Sequence, residues 1–588
     1  MRIKRRAVAA LSVLAAGALL LTGCSTGNNK NNNSNTNGGV QATFNAAVNG
    51  VVNKSTKAGG TLKLLAVSDC DSWDPARAYY GYCLNLQRTM SRTLVNYSKV
   101  NGTTFQLAPD MATDLGTHNA DFTEWKYTLK PGLKFSTGKA ITPMDIKYAV
   151  ERSYAVDVIT GGPGFYFTSI IKAPKNYAGP YKSGDLPDSA ISTTSDTITF
   201  HLSKPFADFN YLLGLPTSAP VPYKVEGGPG FKGATYTKKP VSSGPFVVSS
   251  YTPQKSLTMT RNKYWSAKTD PIRKPLVDQI TYTIDTDPTD IDSKLKAGTA
   301  DAKADTNVGA TLQAQIFTNP KMKAQADDPG GPSTDYLVTP ASVVTNRDCR
   351  AAIYYATNKA ALVQAGGGTA SGVVAHSMTP PGIPGYEPSY NPYPTGSDDT
   401  GDLAKAKAAL AKCGKPNGFS TKYSYPTPSE RGPKIFQAEQ KALARVGIKI
   451  TPTTSDASNY YTTFIGSPSN VKSQGLGIIW AGWGADFPTM YGFYQNIVNG
   501  AAIKAEGNVN YGSINDPTVN KILDDTGTKT TEANGQKLNH ALMATLGDLP
   551  FAYRKTLWWR NARLTNVTCN NALGFGAYDW VNIGVGGA

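Results

Sequence analysis

The sequence predicts a protein of mixed α/β or α+β class that is divided into several lobes. The chain has 588 residues, which at about 150 residues per domain suffices for about three or four domains. Only 17% of the residues are charged and 40% are hydrophobic, so packed cores are favoured over a disordered chain. Strand and helix patterns mix along the chain, without an internal repeat of about 20 to 50 residues.

Three segments predict strands. The segment Gly60 to Val67 predicts a strand entered from a glycine corner, and the alternation from Phe122 to Lys130 predicts a second strand that ends at the turn Pro131-Gly132. The apolar run Gly475 to Trp480 predicts a buried strand that opens into a loop from Ala481 to Asp486.

The sequence also indicates where several helices begin and end. Thr142, Pro143 and Asp145 are typical of an N-cap, a first-position proline and an acidic third residue. The segments Asp402–Cys413 and Ile435–Val446 predict two further helices, each followed by glycine.

The N-terminal segment has the pattern of an export signal. Four positive charges in MRIKRR precede an apolar run from Ala7 to Leu21. The following Leu21-Thr22-Gly23-Cys24 resembles a bacterial lipobox, so we expect removal of residues 1–23 and a lipid on Cys24. This predicts a chain anchored by lipid on the extracytoplasmic face of the cell membrane, the extracellular side in a Gram-positive cell. The alternative is an ordinary secreted protein with an incidental cysteine.

Residues 24–58 are predicted to form a flexible tether, because they are rich in Asn, Ser, Thr and Gly and offer little to bury. The formal charge of the chain is +17, which fits attraction to anionic lipids or wall polymers. No basic run is interleaved with aromatic residues, so no nucleic acid partner is predicted. Beyond the N-terminus, no apolar run approaches the ~20 residues of a membrane span, which excludes a multi-pass transporter.

Five cysteines remain besides Cys24, and an exported chain can form disulfides. Cys70 and Cys83 bracket one loop and are the expected first pair. Cys349 begins one predicted helix and Cys413 ends another, so a second bridge between them is expected, which leaves Cys569 over. Buried free thiols are the alternative for each pair.

The sequence predicts no enzyme, metal or cofactor. The four histidines form no HExxH, and Walker A and CxxC motifs are missing. The SxxK at Ser136–Lys139 lies close before Lys182-Ser183-Gly184, and no SxN stands between the two. A cluster of aspartates from Asp285 to Asp292 lacks the glycine of a calcium loop. We interpret it as a cap of the helix Ile291–Lys296.

Several segments, read in order, are similar to the extracellular solute-binding proteins of family 5, the dipeptide and oligopeptide receptors of ABC importers. The most diagnostic is LAPDMATDLGTHNADFTEWKYTLKPGLKFSTGKAITPMDIKYAVERS, residues 107–153. Others are residues 59–76, 240–265, 278–302, 346–363, 482–497 and 510–525.

The resemblance implies an α/β fold of the type II periplasmic-binding-protein kind, a two-lobed clamshell of three domains. Mapped onto this chain, domain I comprises residues 59–105, 219–337 and 557–588, domain II residues 106–218, and domain III, the other lobe, residues 338–556. The chain then crosses the hinge twice.

The resemblance also implies a function. A monomer captures a di- or oligopeptide between its lobes and delivers it to permease subunits served by cytoplasmic ATPases. Family members that bind oligosaccharides or metal complexes keep a non-peptide ligand open as an alternative. Two alternatives from other functional classes also stay open. One is a secreted enzyme on the same scaffold, and the other is a sensing or adhesive lipoprotein without a transport role.

In peptide-binding relatives, an Asp in a Trp-x-Ala-Asp loop pairs with the ligand ammonium, which cannot be left buried without a partner. Here that motif is Trp483-Gly484-Ala485-Asp486, so Asp486 is the expected amine anchor and Trp483 an apolar wall. The alternative is that Asp486 caps the loop and Trp483 belongs to the core. Further expected ligand contacts, each open to a purely structural role, are Tyr79, Tyr80, Gly81, Ser243, Gly244, Phe165 and Tyr166.

Overall fold

The computed structural model describes residues 43–101, 104–223, 236–526, 530–570, 572 and 576–586. The predicted signal segment and Cys24 lie outside the described residues, as does the predicted tether up to residue 42. In the part that is described, no helix combines the length and the apolarity needed to cross a bilayer.

The first core surrounds a five-stranded sheet and is called the five-stranded core below. Thr61–Ala66 confirms the first predicted strand, and its neighbours Gln279–Ile284 and Ala302–Lys303 run parallel to it. The strand order is Ala302–Lys303, Thr61–Ala66, Gln279–Ile284, Ser256–Arg261 and Phe246–Thr252. The helices around it are Ala46–Asn49, Gly81–Met90, Pro288–Lys296, Ala310–Thr318 and Pro320–Lys323.

The second core, called the four-stranded core, contains an antiparallel sheet in the order Thr117–His118, Glu124–Thr128, Thr197–His201 and Ile191–Thr193. The predicted strand from residue 122 begins two residues late, because Phe122 adopts a left-handed turn with φ 57°. The capping box at Thr142 and Asp145 is confirmed at the start of the helix Pro143–Arg152. Shorter helices here are Phe165–Ile170, Pro180–Ser183 and Phe209–Leu212, and the strands Val95–Asn101 and Thr104–Pro109 form a hairpin.

The third core, called the six-stranded core, has the strand order Gly372–Val374, Asp548–Lys555, Gly330–Val338, Leu476–Gly484, Ser420–Thr427 and Lys449–Asp456. The predicted helix from Asp402 is confirmed as Leu403–Lys412, with the Asp402 carboxylate accepting from the Lys405 N–H. The other helices are Arg347–Ala356, Lys359–Ala365, Gly432–Ala444, Ala457–Asn459, Pro468–Gln474, Met490–Val498, Pro517–Thr526 and Glu532–Thr545, with a π-helical turn at Tyr460–Phe464.

Short elements complete the described part. They are the 3₁₀ turns Pro216–Ser218, Gly368–Ala370, Gly500–Ala502 and Trp580–Asn582, and the short strands Ala326–Asp327, Trp558–Trp559, Leu564–Thr565 and Gly584–Val585.

Two antiparallel chain segments connect the five-stranded core to the six-stranded core. The short strand Ala326–Asp327 pairs with Trp558–Trp559 on one side. A few residues further, Gly330–Val338 pairs with Asp548–Lys555 on the other. The chain therefore passes between these cores twice, along paths that lie next to each other.

Three sequence-based expectations are corrected here. Residues 43–58 are not a free tether, because Ala46, Ala47 and Val52 are buried in the five-stranded core and Val52 bridges to Val567. The boundary at residue 337 is wrong, because Gly330–Val338 lies within the six-stranded sheet.

The third correction concerns the predicted loop 481–486. The strand extends to Gly484, since it pairs in register with Gly330–Val338 as far as Ser333 opposite Gly484. The glycines in this stretch hide the strand pattern from a sequence-based reading.

The structure joins Cys70 to Cys83 and Cys349 to Cys413. Cys569 is a buried free thiol. At the aspartate cluster, Asp287 accepts from the Thr289 N–H and caps the helix Pro288–Lys296, as interpreted from the sequence.

Candidate functional site

Asp486 lies where the central strand Leu476–Gly484 of the six-stranded core leads into the helix Met490–Val498. Its backbone N–H donates to the Gly492 carbonyl at 3.1 Å. The Thr489 hydroxyl caps the helix by accepting from the Gly492 N–H. Both bonds fix the backbone of this connection, so the carboxylate is held in a defined direction.

Residues from all three cores meet at the Asp486 carboxylate. The hydroxyl of Tyr79 donates to Oδ2 at 2.8 Å, and the hydroxyl of Tyr166 donates to the same oxygen at 2.6 Å. The Asn496 side-chain amide donates to it at 3.1 Å and also to the Tyr166 hydroxyl at 3.0 Å. No hydrogen bond between described residues ends on Oδ1. One carboxylate oxygen is therefore committed to the protein, and the other is left for a donor from outside it.

The electrostatics of this carboxylate follow from its surroundings. Burial raises the pKa of Asp486 from 3.8 to about 7, although the hydrogen bonds from Tyr166, Tyr79 and Asn496 act to lower it. The group therefore changes charge close to neutral pH, and a cation placed beside it would stabilise the ionised form.

Tyr79 is positioned by the loop that the Cys70–Cys83 disulfide closes. The Asp71 carboxylate accepts from the Tyr79 N–H at 2.8 Å. Within the same loop, the buried carboxylate of Asp74 forms an ion pair with Arg152 at 2.6 Å. Because Arg152 ends a helix of the four-stranded core, this ion pair ties the loop to that core.

Aromatic side chains surround the hydrogen-bonded cluster. Phe165 lies edge-on to Tyr79, with 6.3 Å between ring centroids, and its ring is 4.4 Å from that of Tyr166. The Tyr166 ring is in turn 5.4 Å from Phe487, next to Asp486. The Lys504 ammonium lies 4.9 Å from the Phe165 centroid. These rings exclude water from the carboxylate on one side.

Trp483 lies near the end of the central strand rather than in a loop. Its indole N–H donates to the Phe493 carbonyl at 2.7 Å, and its partly buried ring packs against the six-stranded core. This bond fixes the plane of the Trp483 ring, three residues before Asp486.

Tyr80 and Gly81 follow Tyr79 at the start of the helix Gly81–Met90, with Tyr80 in the N-cap position. The Tyr80 side chain is 44% exposed, a large fraction for an aromatic ring. Its neighbours across the gap are Tyr461 and Tyr511 of the six-stranded core, whose pKa values it helps to raise.

The described contacts do not bring Ser243 and Gly244 to this cluster. The Ser243 hydroxyl accepts from the Arg92 N–H, and both backbone N–H groups donate to the Met90 carbonyl. A side chain at Gly244 would meet the Met90 backbone at 2.8 Å. Their contacts are those of a packed corner at the end of the helix Gly81–Met90.

Sequence reasoning missed Asn496, Tyr461 and Tyr511. Asn496 lies ten residues beyond Asp486 on the next helix, and only the fold turns its amide back to the carboxylate. Among the described residues, no group of three or more His, Cys, Asp and Glu side chains is arranged to hold a metal ion.

Comparisons with known proteins place this geometry in context. The profile of a family described as bacterial extracellular solute-binding proteins, family 5 Middle, matches residues 106–505. The solved structure of the clavulanic acid biosynthesis oligopeptide binding protein 2 is 34% identical, with a TM-score of 0.86, and the match covers 93% of this chain and 99% of that one.

Two more distant relatives complete the comparison. The periplasmic binding protein DppA from Helicobacter pylori, solved with the peptide STSA, is 20% identical with a TM-score of 0.72, covering 90% of this chain and 99% of that one. Heme-binding protein A of Haemophilus influenzae is 29% identical over 364 residues, 58% of this chain. The chain spans 60% of the length of that curated relative.

Proposed function

Since the chain belongs to family 5 of the bacterial extracellular solute-binding proteins, we propose that it captures peptides between two lobes and delivers them to an ABC importer. The two-lobed α/β fold of the family is the one predicted from the sequence. In this chain, the five-stranded and four-stranded cores form one lobe, and the six-stranded core forms the other.

One observation carries the peptide proposal. Asp486 accepts three hydrogen bonds on Oδ2 and none from the described residues on Oδ1, at a point where both lobes meet. An ammonium on Oδ1 would form a charge-assisted hydrogen bond, which contributes about 1.5–3 kcal/mol. The amino terminus of a peptide is such a group. The relative of 34% identity, named as an oligopeptide-binding protein, supports the same ligand class.

The proposal also covers where the protein works and with which partners. A lipid on Cys24 would keep the receptor at the extracytoplasmic face of the membrane, next to permease subunits. The protein would work as a monomer and carry no catalysis, because the ligand is released unchanged. We place the lobe boundaries at residues 328–330 and 555–557, where the two connecting segments pass between the sheets.

Isothermal titration calorimetry tests the anchor. Tri- to pentapeptides are titrated with free and with acetylated amino termini against the chain from residue 25 onward. The free amine should bind at least about tenfold more tightly, which corresponds to about 1.4 kcal/mol. Asp486→Asn should abolish the preference, whereas Asp188→Asn, at a carboxylate that is 84% exposed, should retain it.

Equal affinity for both forms of the peptide contradicts the amine anchor. Binding of oligosaccharides or metal complexes in place of every peptide supports the alternative ligand classes on the same fold.

A further inference from the structure

An exposed phenylalanine lies on the surface of the five-stranded core. Phe317 is in the last turn of the helix Ala310–Thr318, and 41% of it is exposed. In the described part of the chain, the only other aromatic ring exposed to this degree is that of Tyr80, at the gap between the lobes. The helix packs through Leu312 and Ile316, which are fully buried. The core therefore does not use the Phe317 ring.

The ring is nevertheless held in place by its neighbours. It lies edge-on to the ring of Phe44, with 5.7 Å between the centroids. The Lys323 ammonium is 5.4 Å from the Phe44 centroid and 5.8 Å from the Phe317 centroid, which is within the range of cation–π attraction. These residues and their exposed or partly buried neighbours are called the Phe317 patch below: Phe44, Ala314, Phe317, Lys321, Met322 and Lys323.

The patch carries two positive charges that are available to a partner. Lys321 and Lys323 are exposed, and neither forms an ion pair with a carboxylate among the described residues. The Asn319 side chain accepts from the Lys321 N–H at 3.0 Å and so fixes the backbone that carries both lysines. An aromatic ring flanked by lysines suits the interfacial layer of an anionic bilayer, because the ring enters the apolar side and the long lysine stems reach the phosphates.

The predicted lipid anchor lies close to this patch along the chain. Residues 25–43, 19 in all, separate Cys24 from Phe44. The chain is fixed to the core directly after Phe44, since the Asn45 side chain exchanges two hydrogen bonds with Asp328. A flexible tether of this length has a root-mean-square reach of about 25 Å. A lipid on Cys24 would therefore keep the patch near the bilayer.

Tethering also reduces the affinity that the patch needs. A short flexible linker gives an effective concentration of about a millimolar, so a patch with a dissociation constant in that range would be bound about half of the time. Each lysine near an anionic surface strengthens binding by about fivefold. One half-exposed ring and two lysines are therefore enough for a contact of this strength.

We infer that the Phe317 patch rests in the interfacial layer of the extracytoplasmic leaflet of the cell membrane. The Phe317 ring enters the apolar boundary of this leaflet, and the ammonium groups of Lys321 and Lys323 bind the phosphates of anionic lipids. The contact orients the five-stranded core against the membrane. This inference goes beyond peptide capture, and it rests on the lipid anchor at Cys24 that the proposed function includes.

An assay on vesicles tests the contact. The chain from residue 25 onward, with an N-terminal hexahistidine tag, is held on vesicles of equal parts phosphatidylcholine and phosphatidylglycerol with a trace of nickel-chelating lipid. A dye attached to Ala314→Cys, three residues before Phe317, reports contact with the bilayer through quenching by nitroxide-labelled lipid. Cys569 is buried, so the new thiol is the accessible one. Because the tag replaces the lipid, the result depends neither on lipidation of Cys24 nor on peptide binding.

The anchored wild-type patch should be quenched. Phe317→Ser should lower the ratio of docked to undocked chains by about tenfold, because the ring is the largest apolar group that enters the bilayer. Leu115→Ser is the matched control, since it removes an apolar side chain of the four-stranded core that is 38% exposed, and it should leave the ratio unchanged. Vesicles without phosphatidylglycerol should lower the ratio by at least about tenfold, because both lysines lose their anionic partners.

Several results would overturn the inference. These are an unquenched dye on the anchored chain, equal effects of Phe317→Ser and Leu115→Ser, and docking that does not depend on phosphatidylglycerol. A dye that is already shielded from water before vesicles are added also overturns it, because residues 25–42 or a second copy of the chain would then cover the patch. If Phe317→Ser does not fold, the double variant Lys321→Gln and Lys323→Gln replaces it and should lower the ratio by about fivefold for each charge.

Discussion

At the scale of the residue, Asp486 combines a half-buried position with an incomplete set of partners. Desolvation disfavours its charge, and the three donors on Oδ2 restore only part of what water would supply, so the pKa is about 7. A ligand ammonium would complete the solvation of the carboxylate. The proposed site is therefore organised before a ligand arrives, and little reorganisation would be required on binding.

This pKa predicts a pH dependence of binding. Below about pH 7 the empty site holds a proton that must leave before an ammonium can pair with the carboxylate. Peptide affinity should consequently fall by about tenfold for each pH unit below 7. It should fall again above pH 8, because the α-amino group of the peptide has a pKa of about 7.7–8.0 and loses its positive charge there. Calorimetry between pH 5 and 8.5, repeated in buffers of different ionisation enthalpy, measures both affinity and proton release. A constant affinity and no proton release over this range would contradict the prediction.

The hydroxyl of Tyr166 supports the ionised form of Asp486 more than the neutral form, because it donates to Oδ2 at 2.6 Å. Tyr166→Phe should weaken peptide binding by about tenfold, equivalent to about 1.4 kcal/mol. Tyr154→Phe is a matched control in the same core, since that hydroxyl has only a long 3.4 Å bond to the Phe167 carbonyl. Equal effects of the two substitutions would show that the Tyr166 bond is not specific to binding.

At the scale of the element, the packing around the strand Leu476–Gly484 depends on the absence of a side chain at Gly482. Gly482→Ala should destabilise the fold by about 1–3 kcal/mol, because the added methyl group must displace Arg554 or Asp335. Gly330→Ala is the control, since a Cβ there meets no atom within 4 Å. Thermal unfolding of both variants measures the difference. Identical melting temperatures would mean that Arg554 and Asp335 are not packed against the strand at Gly482.

The two disulfides provide a paired experiment on separate elements. Cys70 and Cys83 close the loop that carries Tyr79, whereas Cys349 and Cys413 join two helices of the six-stranded core. Replacing either pair by serine should lower stability by about 2–4 kcal/mol. Only the first replacement should also weaken peptide binding, because it frees the loop that carries Tyr79 of the proposed ligand site. Equal loss of affinity in both double variants would contradict this role of the loop.

The elements that sequence reasoning predicted well are those specified by neighbours in the chain. The capping box at Thr142 and the helix cap at Asp402 involve residues three positions apart, so their pattern is visible in the sequence. The motif at Asp486 was found through family resemblance. Arg431 and Arg554 donate to the Asp335 carboxylate and lie 96 and 219 residues away from it in the sequence, and no local pattern predicts these pairs. The buried segment at Ala46 was missed because its few apolar residues lie in an Asn-rich stretch.

At the scale of the whole molecule, two adjacent antiparallel segments connect the lobes, an arrangement that suits hinge motion. Across the gap, Tyr79 and Tyr166 of one lobe donate to Asp486 of the other. The same carboxylate thus joins the lobes and receives the proposed ligand. Ligand binding and lobe closure would therefore stabilise each other, since both require the ionised carboxylate to be fully hydrogen-bonded.

The central claim is that this chain captures peptides and pairs their amino terminus with Asp486. Native mass spectrometry of the chain as purified, followed by release and sequencing of any retained ligand, tests it most directly. The account predicts a series of adduct masses that resolve into short peptides with unmodified amino termini, and loss of these adducts in Asp486→Asn. A single non-peptide adduct that persists in Asp486→Asn would contradict it.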